Sequence, residues 1–347
     1  MKNNSRTIAL SNNSKHANLK TIQILFLGFI ILLLASCSKN DDNDIILASP
    51  TLGGLELETE ITENREEALQ TFTLNGGGTG EIYGLEGTIL YFPPNSIVDD
   101  SGSPVTGTVT IELIEIYDKA KMLLTKMPTN GKRPNGDIET LVSGGEFYVN
   151  ATQNGEQLQL ANDFILFAPA DEFNDDMRLF NGQDNDCDGD EMQCDIVWEE
   201  DEQGGLEPMQ REGPNGQGVS GYGGFISNFG WTNIDRWYND PRPKTMLQVD
   251  VPEGFDNTNC NVYVSYDGEP TALALLDIYD PETELFSEHY GLIPIGLEVH
   301  IIFVSVQNDE YVYAIQGTTI EEDHLETIET TSTTTEAGLV ALINDLP

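Results

Sequence analysis

Short apolar segments separated by turn residues are the feature that most limits the folds open to this chain. Segments rich in β-branched and aromatic residues recur at 80–84, 88–92, 107–117, 146–151 and 163–167, with Gly, Pro, Asn and Asp between them. That arrangement is typical of strands joined by turns. Val109, Ile111 and Leu113 alternate with polar neighbours, and this period of two predicts a strand with one buried face. No helical stripe of comparable length interrupts the series, which predicts an antiparallel β-sandwich.

A second series of the same kind follows. Its strand candidates lie at 245–251, 261–266, 272–279, 297–306 and 310–317, with turn pairs such as Asp267-Gly268 and Asn308-Asp309 between them. Residues 336–343 have the pattern of one short amphipathic helix. The sequence therefore predicts an all-β protein with two antiparallel β-sandwich domains, joined by an acidic, Gly-rich connection and preceded by an N-terminal signal peptide.

The predicted boundaries follow from changes in composition along the chain. They are 1–36 for the signal peptide, 37–70 for a lipidated cysteine and acidic tether, 71–169 for the first sandwich, 170–224 for the connection, 225–320 for the second sandwich, and 321–347 for a Thr-rich tail with a short helix.

The N-terminal segment has the layout of a secretory signal peptide. An apolar run, 22–35, follows a leader with four basic and no acidic residues, and small residues precede Cys37. The alternative is an uncleaved membrane anchor. The run is shorter than the roughly 20 apolar residues that span a bilayer. The small residues at its end fit a peptidase site better than a stop-transfer flank, which would carry Lys or Arg. Cleavage is the interpretation that the residues favour.

The residues around Cys37 carry a resemblance to a known class. Leu34-Ala35-Ser36-Cys37 resembles the lipobox of bacterial lipoproteins, which implies that Cys37 is lipidated and that its acyl chains, palmitate among them, bind outer-membrane lipid. The acid-rich stretch 38–44 is similar to the export signal of Bacteroidetes-type outer-membrane lipoproteins. This resemblance implies a position on the cell surface, facing the exterior. A lipoprotein that faces the periplasm is the alternative.

A second resemblance covers the first predicted sandwich. Residues 87–97, with Tyr-Phe-Pro-Pro at their centre, and the alternating strand at 107–113 resemble the ZU5 domain. Residues 141–149 are similar to the second half of ZU5-like modules in Bacteroidetes lipoproteins. The resemblance spans 71–169 and implies a β-sandwich that mediates interactions. Some ZU5 domains cleave themselves at a His-Phe-Ser motif, but this region contains no histidine, so that activity is not implied.

The net charge of the chain limits the kinds of partner that it can bind. It holds 16 basic and 59 acidic residues, and the leader takes four of the basic ones, which leaves the mature chain with a net charge of −47. So large a negative charge repels polyanions and excludes nucleic acid as a partner. Divalent cations and cationic surfaces are the natural counterparts.

The connection contains a candidate calcium loop. Carboxylates at Asp184, Asp186 and Asp188, a glycine at 189 and acids at Asp190 and Asp195 follow the spacing of a calcium-binding loop. The core Asp-Asn-Asp-Cys-Asp-Gly also resembles metal-binding repeats of extracellular bacterial proteins. These residues predict calcium as a bound ion. The alternative is a solvated acidic loop in an acidic protein.

The cysteines suggest one disulfide. With Cys37 committed to lipid, Cys187, Cys194 and Cys260 remain, an odd number for an oxidising compartment. Cys187 and Cys194 are seven residues apart in one loop and form the simplest pair. Pairing of either one with Cys260 stays open.

Aromatic residues open the second predicted sandwich. Phe225, Trp231, Trp237 and Tyr238 could stack on a sugar ring, whereas the alternative places them in a sandwich core.

The residue types favour binding over catalysis. The mature chain has three histidines and no Gly-x-Ser-x-Gly elbow, and a carboxylate pair of the glycosidase kind is not identifiable from sequence. We expect His300, inside a strand, to be structural. The sequence thus favours a non-catalytic, surface-exposed lipoprotein that binds an unknown protein or glycan partner. The alternatives are a carbohydrate-binding or polysaccharide-processing component of the outer surface and, third, a periplasmic assembly factor.

Overall fold

The chain is built mostly of β-strands, as the sequence predicts. The computed structural model describes residues 54–184, 190–212, 216–289 and 291–347. The predicted signal peptide, Cys37, Asp186, Cys187 and Asp188 lie outside these residues, as does the side chain of Asp184. All described residues belong to one compact unit, 49–347.

Strands are numbered in chain order. The first fifteen are β1 (Gln70–Asn75), β2 (Gly80–Tyr83), β3 (Ile89–Phe92), β4 (Ile97–Val98), β5 (Thr108–Ile116), β6 (Asn130–Lys132), β7 (Ile138–Gln153), β8 (Glu156–Gln157), β9 (Gln159–Leu160), β10 (Phe164–Pro169), β11 (Arg178–Asp184), β12 (Ile196–Glu200), β13 (Leu206–Glu212), β14 (Gly218–Ile226) and β15 (Gly230–Trp237). The others are β16 (Lys244–Thr245), β17 (Leu247–Asp250), β18 (Asn261–Tyr266), β19 (Leu273–Leu275), β20 (Ile278–Asp280), β21 (Leu285–Ser287), β22 (Ile293–Pro294), β23 (Glu298–Gln307), β24 (Glu310–Thr319), β25 (His324–Thr327) and β26 (Ser332–Thr334).

Four larger sheets organise these strands. Sheet A has the order β1-β5-β7-β15-β11-β12-β6, with β8 paired to β7, and sheet B has the order β13-β14-β10-β3-β2. Sheet C has the order β20-β21-β17-β25, and sheet D the order β19-β18-β23-β24-β26. Two short pairs, β4-β9 and β16-β22, complete the pairings. Most neighbours are antiparallel, and β6-β12 and β17-β25 are parallel.

Sheet A packs on sheet B through one apolar core. Val109, Ile111 and Leu113 of β5 are fully buried, which confirms the face predicted from their alternation. They share that core with Leu90 of β3 and Leu166 of β10. A comparable core, which includes Val249 of β17 and Phe303 of β23, lies between sheets C and D. Alternating burial on both partner sheets is what holds such layers together.

The structure differs from the predicted connection at 170–224. Strands β11 to β14 come from this stretch and extend sheets A and B. The acids of this stretch that the structure describes are exposed or partly exposed, whereas Phe180 and Trp198 are fully buried. Gly221 is needed for close packing, because an added Cβ would lie 2.1 Å from the Ala168 carbonyl oxygen. The predicted start of the second sandwich at 225 also changes, because β15 belongs to sheet A.

Within the described ranges the chain forms three helices, and all three contribute side chains to one core. They are α1 (Gly54–Ala68), α2 (Lys119–Leu124) and α3 (Glu336–Asn344), and a 3-10 turn covers Glu191–Gln193. Helix α3 confirms the helix predicted at 336–343. Helix α1 occupies a stretch predicted as tether, and it buries Leu57, Ile61 and Arg65 at a spacing of four residues. None of the helices in the described ranges is long and apolar enough for a membrane crossing.

A third core joins all these layers. It contains Leu57 and Ile61 of α1, Leu339 of α3, Trp198 of sheet A and Ile302 of sheet D. Hydrogen bonds also cross the interface between the two pairs of sheets. The Thr129 amide donates to the Leu273 carbonyl at 2.8 Å, and the Asn130 side chain bonds both backbone groups of Leu275. The two pairs of sheets therefore share a buried interface and are not joined by a free linker.

Candidate binding groove

An open groove surrounds the loop 227–229, where the chain passes from β14 in sheet B to β15 in sheet A. Three cavities of about 220, 590 and 630 Å³ meet at this loop, and Asn228 lines all three. We call this surface the Asn228 groove. Cavities of several hundred Å³ have the size of ligand sites.

Strand β7 and the 3-10 turn form one wall of the groove. Asn150 on β7 is held in place because its amide donates to Glu112 Oε2 at 2.9 Å. Trp231 donates its indole N–H to the Glu191 carbonyl at 3.0 Å and so fixes the 3-10 turn to β15. Gly230, at φ +111°, leaves room for the Glu191 carboxylate, which would lie 3.2 Å from an added Cβ.

The ends of β11 and β12 form the opposite wall. Glu199 pairs with Lys132 at 2.8 Å, and Glu200 accepts the indole N–H of Trp237 at 2.8 Å. Asp201 accepts the backbone amides of Gln203 and Gly204 and so closes the turn after β12. These contacts order the carboxylates at the rim.

The lining combines acids and amides. The described residues of the three cavities include seven carboxylates, seven carboxamides and no Lys, Arg or His. The carboxylates are Asp163, Asp190, Glu191, Glu199, Glu200, Asp201 and Glu202, and the carboxamides are Asn150, Gln157, Gln159, Asn181, Gln183, Gln203 and Asn228. Such a surface attracts positive charge and offers both hydrogen-bond donors and acceptors.

The four aromatic residues predicted to stack on a sugar ring differ in how far they are exposed. Phe225 lines the groove with 37% of its surface exposed, whereas Trp231 and Trp237 keep only 6% and 7%. Arg133 covers Trp237 at 3.6 Å, and Tyr238 packs edge-on against Tyr266. The structure thus places the two tryptophans in the core, because they fill the space between sheet A and the helices.

The two calcium-loop residues whose side chains are described make other contacts. Asp195 pairs with Lys126 at 2.8 Å and lies 3.7 Å from the Arg65 guanidinium. Asp190 caps the 3-10 turn by accepting the Met192 amide at 3.1 Å. Among the described residues, no three His, Cys, Asp or Glu side chains form a group that would hold a metal ion. Calcium binding stays a prediction that depends on Asp184, Asp186 and Asp188.

Cys260 is a free, buried thiol, and burial raises its pKa. This excludes the alternative in which Cys260 pairs with Cys187 or Cys194. Cys194 is 2% exposed, and its carbonyl accepts a hydrogen bond from buried Arg65. Because Cys187 lies outside the described residues, the Cys187–Cys194 disulfide stays a prediction.

Sequence reasoning missed a pair of buried acids on two neighbouring strands of sheet A. Glu146 on β7 and Asp235 on β15 have no exposed surface. Asn233 lies opposite Glu146, and its amide donates to Asp235 Oδ2 at 2.7 Å. Neither oxygen of Glu146, nor Oδ1 of Asp235, has a hydrogen-bond partner in the described part of the chain. A register shift between Asn233 and Asp235 places these residues together, and no local sequence period indicates it.

Burial changes the acidity of this pair. It raises the pKa of Asp235 to about 8, against hydrogen bonds from Ser143 and Asn233 that lower it. Burial and the nearby Asp235 charge raise the pKa of Glu146 well above its ordinary value. The neutral form of Asp235 is therefore the more stable one at pH 7. Neither residue lines the Asn228 groove.

His300 has the surroundings expected of a structural residue. Its Nδ1 lies 2.7 Å from Asp267 Oδ1, and its ring packs against Gly317, where an added Cβ would lie 3.1 Å from Nε2.

Comparisons of this chain with protein-family models, curated proteins and solved structures found no match. The resemblances to bacterial lipoproteins and to the ZU5 domain therefore stay predictions.

Proposed function

We propose that the protein is a non-catalytic binding module, attached to outer-membrane lipid through acylated Cys37 and exposed on the cell surface, which binds its partner in the Asn228 groove. The observation that supports binding is the groove itself, whose amides and carboxylates converge on one exposed loop. Hydrogen-bonding groups arranged around an open cavity are typical of recognition sites.

The buried acids Glu146 and Asp235 are not placed to act as a hydrolytic pair. A carboxylate pair that hydrolyses a glycosidic bond must contact its substrate from two sides. Glu146 and Asp235, whose pKa values are raised, have no exposed surface through which to contact one. We also propose that calcium binds the loop at 184–195 and stabilises it.

Site-specific crosslinking tests the site and the location together. A photoreactive residue replaces exposed Asn228 in the full-length chain, and a matched variant carries it at exposed Glu282, far along the sequence on the turn before β21. In intact cells we expect a defined adduct from position 228 and none from position 282. Equal crosslinking at both positions, or none at 228, contradicts the groove as the binding site. Labelled palmitate that is incorporated into wild type but not into Cys37→Ala tests the anchor.

A further inference from the structure

The Asn228 groove has a charge and a shape that select one class of ligand. Resting on the proposed binding function, we infer that the groove binds a positively charged, extended peptide segment of a partner protein. Its ligand would present Lys or Arg side chains to the carboxylates and backbone amides to the carboxamides.

The first argument is the negative charge of the groove, most of which no described basic side chain neutralises. Glu199 is paired with Lys132, but Asp163, Glu191 and Glu202 form no ion pair with a described Lys, Arg or His. Glu200 and Asp201 also keep an oxygen beyond those used by Trp237 and the turn amides. Carboxylates within a concave surface focus their field on the cavity, which raises the local concentration of cations. These carboxylates are therefore available to pair with a cationic ligand.

The second argument is the arrangement of the carboxamides. Gln157 lies on β8 and Gln159 on β9, Asn181 and Gln183 lie on β11, and Asn228 lines all three cavities. A carboxamide has one acceptor and one donor group, as a peptide bond does, so a ladder of them matches an extended backbone. Carboxamides line all three cavities. Because Gln157 and Gln159 already donate to Asn150 and Asp100, their amide oxygens and the side chains of Asn181 and Gln183 are the groups offered to a peptide backbone.

The third argument separates a peptide from a glycan. Sugar rings are bound on exposed aromatic faces, but Trp231 and Tyr148 in the groove wall are 6% and 5% exposed. Phe225 is the exposed aromatic of the lining, and Phe229 is half-buried against Phe164. One exposed phenyl ring suits the aliphatic stem of a Lys or Arg side chain, which packs well on aromatic surface.

The test uses a fluorescent octapeptide of alternating Lys and Ser and the same peptide with acetylated lysines, both titrated into mature wild-type protein at physiological salt. At that salt, charges farther than about 8 Å from the peptide are screened. A groove variant combines Asp163→Asn, Glu191→Gln and Glu202→Gln. A control variant combines Glu253→Gln, Glu282→Gln and Glu322→Gln, so that both lose three negative charges. All six positions are exposed, so both variants are expected to fold.

The inference predicts that the groove variant binds the Lys peptide about tenfold or more weakly than wild type, whereas the control changes less than about twofold. Acetylation should abolish binding. Equal weakening of both variants, unchanged binding of the acetylated peptide, or no binding to wild type overturns the inference. If instead neutral oligosaccharides bind wild type and not the groove variant, the ligand class is wrong while the groove remains the binding site. Failure of the crosslink at position 228 refutes the site itself.

Discussion

The buried acid pair gives a quantitative prediction. Asp235→Asn replaces a carboxyl group that has no exposed surface by an amide of the same shape. The amide oxygen still accepts the hydrogen bond that Asn233 donates at 2.7 Å. What changes is the proton, because the amide does not titrate. The variant should therefore remove one pH-dependent contribution to stability and leave the packing intact.

The sign follows from the two pKa values. Burial raises the pKa of Asp235 from its ordinary 3.8 to about 8 in the folded protein. Below pH 4 the group is protonated in both states, and its contribution to stability is fully present. Between pH 4 and pH 8 the unfolded chain loses the proton and the folded chain keeps it, which destabilises the fold by about 1.4 kcal/mol per pH unit. The total loss is on the order of 5 kcal/mol and is complete above pH 8.

Urea unfolding at fixed ionic strength measures this effect, with fluorescence of the buried tryptophans as the signal. The difference in unfolding free energy, variant minus wild type, should increase by roughly 3 kcal/mol from pH 5 to pH 8 and then level off. Taking the difference cancels the pH dependence of the groups that do not interact with Asp235. Glu146 does interact with it, and once the Asp235 charge is gone only burial raises the pKa of Glu146. Exposed Asp171→Asn is the matched control and should show a flat difference. A difference for Asp235→Asn that is equally flat from pH 5 to pH 8 would refute the reasoning.

Three further predictions follow from other contacts. Arg65→Ala should lower the unfolding free energy by about 3–5 kcal/mol in urea denaturation, because the buried guanidinium donates to the carbonyls of Thr125, Lys126 and Cys194; a loss below about 1 kcal/mol contradicts this. In mature protein that carries Cys37→Ala, buried Cys260 should react with a maleimide only in denaturant, and intact mass should then show one label per chain if Cys187 and Cys194 are paired, or three if not. Calcium calorimetry should lose its heat with Asp188→Ala but not with Asp195→Asn, because Lys126 already pairs with Asp195; loss with both variants would place Asp195 among the ligands.

Elements with one buried face could be predicted from the sequence. Strand β5 and helix α3 show this, because Val109, Ile111 and Leu113 repeat every two residues and Leu339 and Ile343 are one helical turn apart. The mostly β character follows from many such segments. An element with one buried face has apolar residues at a regular spacing, and that spacing can be recognised in the sequence without knowing which distant residues it packs against.

The elements that were missed have weak periods. Strands β11 to β14 lie in a stretch whose acids and glycines resemble a solvated connection, and few buried residues such as Phe180 and Trp198 distinguish it. Helix α1 buries only Leu57, Ile61 and Arg65, so most of its surface has the composition of a tether. In both cases partner sheets provide the stabilisation, which composition alone does not report.

The sequence by itself determined the acidity of the chain, its strands of period two, its C-terminal helix and the residue types that surround the groove. Only the tertiary structure decided that carboxamides from β7 and β11 meet at Asn228, and that Glu146 and Asp235 lie together beneath the surface. The physical reason is that strand pairing and sheet packing join residues far apart in the chain. Their register depends on the buried area and hydrogen bonds of whole sheets, so no short stretch of sequence specifies it.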